Sequence, residues 1–173
     1  MGTWKAIAQA TVAMALTGAL TGCGPAEQAA PVAEDTPILL KAGQWTLNRT
    51  LTGYNTATVT AAEYAAKVGQ KSTESVCIAI DAKGMPDPDA LAGSDGKDCT
   101  YKEPSIRKGR FIATLLCKAG TGTSELLLEG NYTPESLTLG GSTTKTVDGN
   151  AVLRTTQDLT GKRTGDCVPD KPK

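Results

Sequence analysis

From residue 45 onward, apolar and polar positions alternate along much of the chain. Trp45, Leu47 and Leu51 share one parity, with Thr46, Asn48 and Thr50 between them. Alternation at every second residue sends one set of side chains to each face of a strand, so this stretch reads as β, with Arg49 interrupting the apolar face. Phe111-Ile112-Ala113-Thr114-Leu115-Leu116-Cys117 reads as a second strand, and Leu126 and Leu128, set between Glu125 and Glu129, mark a third. Ser136 to Leu139, Thr143 to Val147 and Ala151 to Leu159 continue the pattern. Turn signals separate these segments: Lys108-Gly109, Ala119-Gly120 with Thr121-Gly122, Gly140-Gly141, and Asp148-Gly149-Asn150. Sequential strands joined by tight turns predict a mainly β domain, an antiparallel meander or partial barrel with one short helix.

That helix is expected after Thr60. Thr60-Ala61-Ala62-Glu63 has the spacing of a capping box, in which the Thr hydroxyl accepts from the Glu63 amide and the carboxylate reaches back. Ala65, Ala66 and Lys67 favour the helix, and Gly69 can end it. A further short turn is expected from Asp87, with Pro88 in its first helical position.

The N-terminal pattern is different. Met1 to Lys5 carries one positive charge, and Ala6 to Leu20 carries none and is largely apolar. This is the layout of a secretory signal peptide over residues 1–22, too short to span a bilayer comfortably. It ends in Leu20-Thr21-Gly22-Cys23, which resembles the lipobox of bacterial lipoproteins. The resemblance implies cleavage before Cys23 and acylation there; two or three acyl chains anchor a protein well, whereas one does so marginally. Gly24, rather than Asp, follows the Cys and tilts the expectation towards the outer membrane, facing the periplasm. Residues 23–37 read as the lipidated Cys and a flexible Ala-, Pro- and Glu-rich tether, residues 38–167 as the folded domain, and residues 168–173 as a loose polar tail.

Charge adds no second means of attachment. The chain has 18 basic and 18 acidic residues, and loss of residues 1–22 removes only Lys5, leaving a net charge of −1. No strong field draws nucleic acid or an anionic membrane, so the expected membrane contact is the lipid alone. Aromatic residues are few, and a modest core benefits from covalent staples.

Five cysteines are present. With Cys23 acylated, Cys77, Cys99, Cys117 and Cys167 remain, an even number that reads as two disulfides in an exported chain. A metal site would need closer spacing, and the chain has no His to assist. Cys99 and Cys117 are equidistant from Lys108, beside a turn glycine. An antiparallel hairpin centred there would place them opposite each other and Tyr101 opposite Leu115, at cross-strand Cα distances of about 4.5–5.5 Å that a disulfide accepts. Cys77–Cys167 then follows by elimination, although the other two connectivities stay open.

Few catalytic sets survive inspection. Ser142-Thr143-Thr144-Lys145 matches S-x-x-K, but that chemistry needs a helix start, and Gly140-Gly141 suggests a hairpin instead. Gly161-Lys162-Arg163-Thr164 echoes half a P-loop whose upstream Gly is replaced by Thr156. Gly93-Ser94-Asp95-Gly96 is not a nucleophile elbow. Asp81, Asp87, Asp89, Asp95 and Asp98 lack the spacing of a Ca²⁺ loop and read as a solvated loop. Without His, Ser-His-Asp and Cys-His catalysis are unavailable, while carboxylate-pair hydrolysis stays open. No cofactor, metal or catalytic residue is expected.

Several landmarks occur in a distinctive order: Lys41-Ala42-Gly43-Gln44-Trp45, Cys77-Ile78, Cys99-Thr100-Tyr101, Leu116-Cys117, Gly130-Asn131-Tyr132-Thr133, and Gly161-Lys162-Arg163-Thr164-Gly165-Asp166-Cys167. This set resembles a family of small exported proteobacterial proteins classified only as a domain of unknown function, over residues 38–167. The resemblance implies an envelope location, a β-rich domain and paired cysteines, and no known activity. The expectation is therefore an envelope lipoprotein, non-enzymatic, whose domain is a binding or structural module for a small ligand, a cell-wall component or a protein. The alternatives are a carboxylate-based hydrolase of envelope glycans and a protein inhibitor.

Overall fold

The computed structural model describes residues 38–167. The expected signal peptide, Cys23, the tether and the tail lie outside these residues.

Seven strands form one antiparallel sheet: β1 (Gly43–Asn55), β2 (Lys71–Ile78), β3 (Lys97–Arg107), β4 (Arg110–Ala119), β5 (Gly122–Thr133), β6 (Ser136–Val147) and β7 (Asn150–Gly165). Helix α1 (Ala61–Lys67) joins β1 to β2, and α2 (Pro88–Ala92), followed by a single tight helical turn, precedes β3. The order across the sheet is β2-β1-β7-β6-β5-β4-β3. Strands β3 to β7 form the expected meander, and β1 adds to its last strand. The β3–β4 and β6–β7 turns place Lys108-Gly109 and Asp148-Gly149 at positive φ. Two consecutive residues of that kind make the turn whose twist matches an antiparallel hairpin.

One face of the sheet carries the core. Trp45, Leu47, Phe111, Ala113, Leu115, Leu126, Leu128, Leu137, Leu139 and Leu159 are buried. Their sequence neighbours on the same strands point the other way and are mostly polar and exposed. Ala90, Leu91 and Ala92 of α2 complete the same cluster. This short helix packs against β2, β3 and β4, so it covers the core between the two edge strands of an open sheet. The architecture is mainly β as expected; α1 follows Thr60, and the further short turn expected from Asp87 is the second helix, α2, with Asp87 as its N-cap and Pro88 first.

The differences from the pattern have physical causes. Gly140-Gly141 is not a turn; it lies inside β6, which runs unbroken from Ser136 to Val147. A Cβ on Gly141 would come within 3.1 Å of Gln157 Cγ and 3.3 Å of Leu128 Cδ2, so a side chain there would press on both neighbours. Strand β7 continues beyond Leu159 to Gly165, pairing with the start of β1. Strand β2 was not foreseen: it is an edge strand, largely exposed, and its residues Lys71 to Ser75 carry no apolar alternation. Arg49 keeps its inward parity and is buried instead of breaking the face.

Cys99 and Cys117 stand at disulfide distance with Cα atoms 4.1 Å apart, and Cys77 and Cys167 with Cα atoms 5.4 Å apart. Tyr101 pairs with Leu115, although β3 bulges on either side of that register.

The capping box is present. Thr60 Oγ1 accepts from the Glu63 amide at 3.2 Å, and Glu63 Oε2 accepts from the Thr60 amide at 2.8 Å. The Thr60 hydrogen bonds, that to its backbone first, hold the Glu63 carboxyl below its ordinary pKa. A depressed acid stabilises above its unfolded value, so this contribution is present above about pH 4.5 and fades as pH falls through the folded value. Thr60→Ala should speed hydrogen exchange of the Glu63 amide roughly fivefold while leaving the β amides unchanged. Equal acceleration across the sheet would show that the box is not a local device.

Candidate functional site

The inner face carries four buried polar side chains: Arg49, Ser124, Thr143 and Gln157. They hold the segment between β2 and β3 against the sheet. Asp95 Oδ2 accepts from Thr143 Oγ1 at 3.0 Å and Gln157 Nε2 at 2.9 Å, while Ser124 Oγ donates to the Asp95 carbonyl at 2.7 Å. Arg49 Nη2 donates to Glu74 Oε1 at 2.9 Å and to the Ala90 carbonyl at 3.4 Å. The Tyr101 hydroxyl donates to the Pro86 carbonyl at 2.8 Å. Burial, with the charges of Asp87 and Asp81, pushes that phenol well above its usual pKa, so it stays a donor.

The acidic run is part of this scaffold. Asp81 Oδ1 accepts from the amides of Lys83 and Met85, and Asp87 Oδ1 from that of Asp89. Asp89 accepts from the amides of Asp98 and Cys99 at 3.1 and 2.6 Å, holding the start of edge strand β3. Asp98 pairs with Lys118. The run is thus a set of backbone caps and a strap to the sheet, more engaged than the solvated loop expected. Among the described residues no group of three or more His, Cys, Asp or Glu is placed to hold a metal ion.

The outer face offers the more open chemistry. A depression of about 500 Å³ is floored by Gly130, Gly140 and Gly141 and flanked by Leu127, Glu129, Asp158 and Arg110. Glu129 on β5 pairs with Gly140 on β6, which pairs with Asp158 on β7. The missing side chain of Gly140 therefore opens a gap between two carboxylates. Arg110 Nη2 lies 2.5 Å from Glu129 Oε1 and holds it to one side. Ser142 and Thr156 continue the floor into a second hollow of about 430 Å³, bounded by Tyr54, Val59, Tyr64 and Arg154. The two hollows share Ser142 and Thr156, so they adjoin on the outer face, one at the glycine floor and one beside α1; together they are the outer groove. Lys67 sits 5.9 Å over the Tyr54 ring and helps fix it. Tyr64 is 45% exposed.

The motifs weighed in the sequence take structural places. Ser142 and Lys145 lie on one strand three residues apart, hence on opposite faces, and cannot act together. Gly161 to Thr164 belong to β7, where Arg163 Nε donates to the Ala42 carbonyl at 2.8 Å. The opening Lys41–Trp45 and closing Gly161–Cys167 landmarks therefore meet as paired strands. The groove residues were not foreseen. Tyr54 and Tyr64 lie at a strand end and on a short helix, where no apolar period marks them. Glu129 and Asp158 are two exposed acids among many, joined only by sheet register.

No curated protein and no solved structure matches the chain. A family model described as a protein of unknown function (DUF3617) matches residues 40–167, the whole sheet from just before β1 to the last cysteine. The chain belongs to that family, DUF3617.

Proposed function

We propose that the protein is an exported lipoprotein, held in the outer membrane by acyl chains on Cys23, whose β domain binds a glycan of the cell envelope without turning it over. The observation that carries the binding role is the pair of adjoining hollows on the outer face. A sugar ring presents an apolar face, which suits Tyr54 and Tyr64, and a rim of hydroxyls, which suits Asp158, Arg154, Ser142 and Thr156. The lipobox around Cys23 supports the anchor, and two disulfides suit an oxidising compartment. The chain enters the domain beside the β5–β6 turn, where the Lys41 amide donates to the Pro134 carbonyl. Strand β1 then runs 13 residues, about 40 Å at 3.3 Å each, to the tyrosine end of the groove.

The test has two arms. Mass spectrometry of the purified N-terminus should find acylated Cys23, and Cys23→Ser protein should leave the membrane fraction. Soluble peptidoglycan fragments should shift the NMR signals of groove residues in the wild type, and Tyr64→Ala should weaken that binding about tenfold or more. Fragments that bind the Tyr64→Ala protein equally well would remove the groove from the reading.

A second reading, hydrolysis, has one observation in its favour. Glu129 and Asp158 stand two strands apart across Gly140, a Cα separation of about 10 Å. Inverting glycosidases place their carboxyl pairs about 6.5–9.5 Å apart. New reducing ends released by the wild type and lost in Asp158→Asn would favour hydrolysis; binding with no release in either protein favours the non-enzymatic reading.

A further inference from the structure

A further cavity lies beside the strapped segment and towards α1, meeting the outer hollows at Thr155 and Gln157. It measures about 270 Å³ and is lined by Arg49 and Leu51 of β1, Gln70, Lys71 and Ser72 at the start of β2, Ser94 and Asp95, and Thr155 and Gln157 of β7. This is just under the roughly 300–1,000 Å³ typical of pockets for drug-sized ligands, so its occupant is small. The Arg49 side chain is only 7% exposed. Its Nε and Nη2 are engaged by Glu74 and Ala90, but the buried Nη1 has no hydrogen-bond partner among the described residues. A buried guanidinium donor without an acceptor is costly and rare, and it marks a place where an acceptor belongs. Asp95, also in the lining, uses Oδ2 for Thr143 and Gln157, and its Oδ1 has no donor among the described residues.

We propose that this cavity binds a small zwitterion of the amino-acid or dipeptide class. The carboxylate would take Arg49 Nη1, which is closed off from the cavity as the side chain stands and is reached by a small turn of the guanidinium, with Lys71 as a second cation at the rim, and the ammonium group would face Asp95 Oδ1. The charges select this class. Arg49 and Lys71 are balanced by Glu74 and Asp95, so the surroundings have no net charge to recruit a simple anion. An anion alone would also meet the Asp95 carboxylate, and a neutral molecule would leave Nη1 without a charged acceptor. Ser72, Ser94 and Thr155 add hydroxyls for the ligand backbone. The site shares Thr155 and Gln157 with the outer hollows but none of their tyrosines or their carboxylates, and its proposed occupant does not depend on glycan binding.

Titration of the full chain with alanine, Ala-Ala, acetate and methylammonium, followed by NMR, tests the site. Alanine or Ala-Ala should bind saturably and shift Arg49, Lys71 and Asp95, with acetate and methylammonium each at least about tenfold weaker. Lys71→Met, on the exposed rim, should weaken zwitterion binding about tenfold with the fold intact, and Arg49→Met should abolish it. Tyr64→Ala should leave it unchanged, which separates this site from the groove. The proposal is overturned if neither zwitterion binds, if acetate binds as tightly as alanine, or if Lys71→Met binds like the wild type.

Discussion

Replacing Cys77 and Cys167 together by Ser should cost about 4–5 kcal/mol, the larger of the two disulfide losses. The bridge closes a separation of 90 residues, against 18 for Cys99–Cys117, whose loss should cost about 3 kcal/mol. The difference comes from the unfolded chain, where a longer closed loop forfeits more freedom. For a domain of this size the first loss lowers Tm by about 15 °C. The folded state supplies a second reason. Strand β1 lies between β2 and β7, and Cys77 stands opposite Gln44 while β7 ends beside the same residue. The bridge therefore clasps an edge strand to the last strand across the start of β1. Without it, β2 retains its pairing with β1 but loses its direct covalent link to the end of β7. Urea unfolding of both double variants in one buffer makes the comparison. A smaller loss for the 77–167 variant than for the 99–117 variant would refute the loop-entropy account.

The meander was legible because its strands obey one rule for many residues. Phe111 to Cys117, Leu126 with Leu128, and Leu137 with Leu139 each alternate cleanly, since one face meets the core and the other meets water. The pairing of Tyr101 with Leu115 matches a hairpin centred on Lys108, but the turn itself pairs Arg107 with Arg110. The bulge between Lys102 and Ser105 brings the strand to the expected register, a shift that no turn residue announces. Strand β2 escaped because an exposed edge needs no apolar face. Gly140-Gly141 misled because a glycine pair marks a tight turn and a tight packing contact with the same letters. Only the position of Gln157 and Leu128 across the neighbouring strands distinguishes them.

The candidate sites were less legible, and the cause is distance along the chain. The outer groove joins Tyr54, Tyr64, Glu129, Ser142 and Asp158, brought together by sheet order rather than spacing. Arg49 looked like an interruption in an apolar face. Its partner Glu74 lies on a strand that the pattern did not reveal, so nothing in the sequence announced a buried ion pair. The acidic run looked like solvated loop because carboxylates that cap backbone amides and those that face water have the same composition.

Asp95→Ala should test that last distinction, at an expected cost of about 3 kcal/mol. Two hydrogen bonds to a charged acceptor disappear, each worth about 1.5–3 kcal/mol at full burial, and Asp95 is only partly buried. The donors left behind are Thr143, 1% exposed, and Gln157, 8% exposed, so neither readily finds water instead. Asp87→Ala removes a single bond to an exposed amide and should cost about 1 kcal/mol. Asp95→Asn keeps one carbonyl acceptor and should fall between the two. Chemical denaturation gives the ranking, and hydrogen exchange gives the location: the Cys99 amide, held by Asp89 in the same segment, should exchange faster in Asp95→Ala than in the wild type. If Asp95→Ala and Asp87→Ala cost the same, the strap contributes little. The segment would then be held chiefly by the apolar contacts of Leu91, which is fully buried beneath the sheet. If the ranking stands, a carboxylate from a loop with no apolar pattern helps to close the interior of an open sheet. The polar positions on the inner faces of β5, β6 and β7 are then the receiving half of that closure.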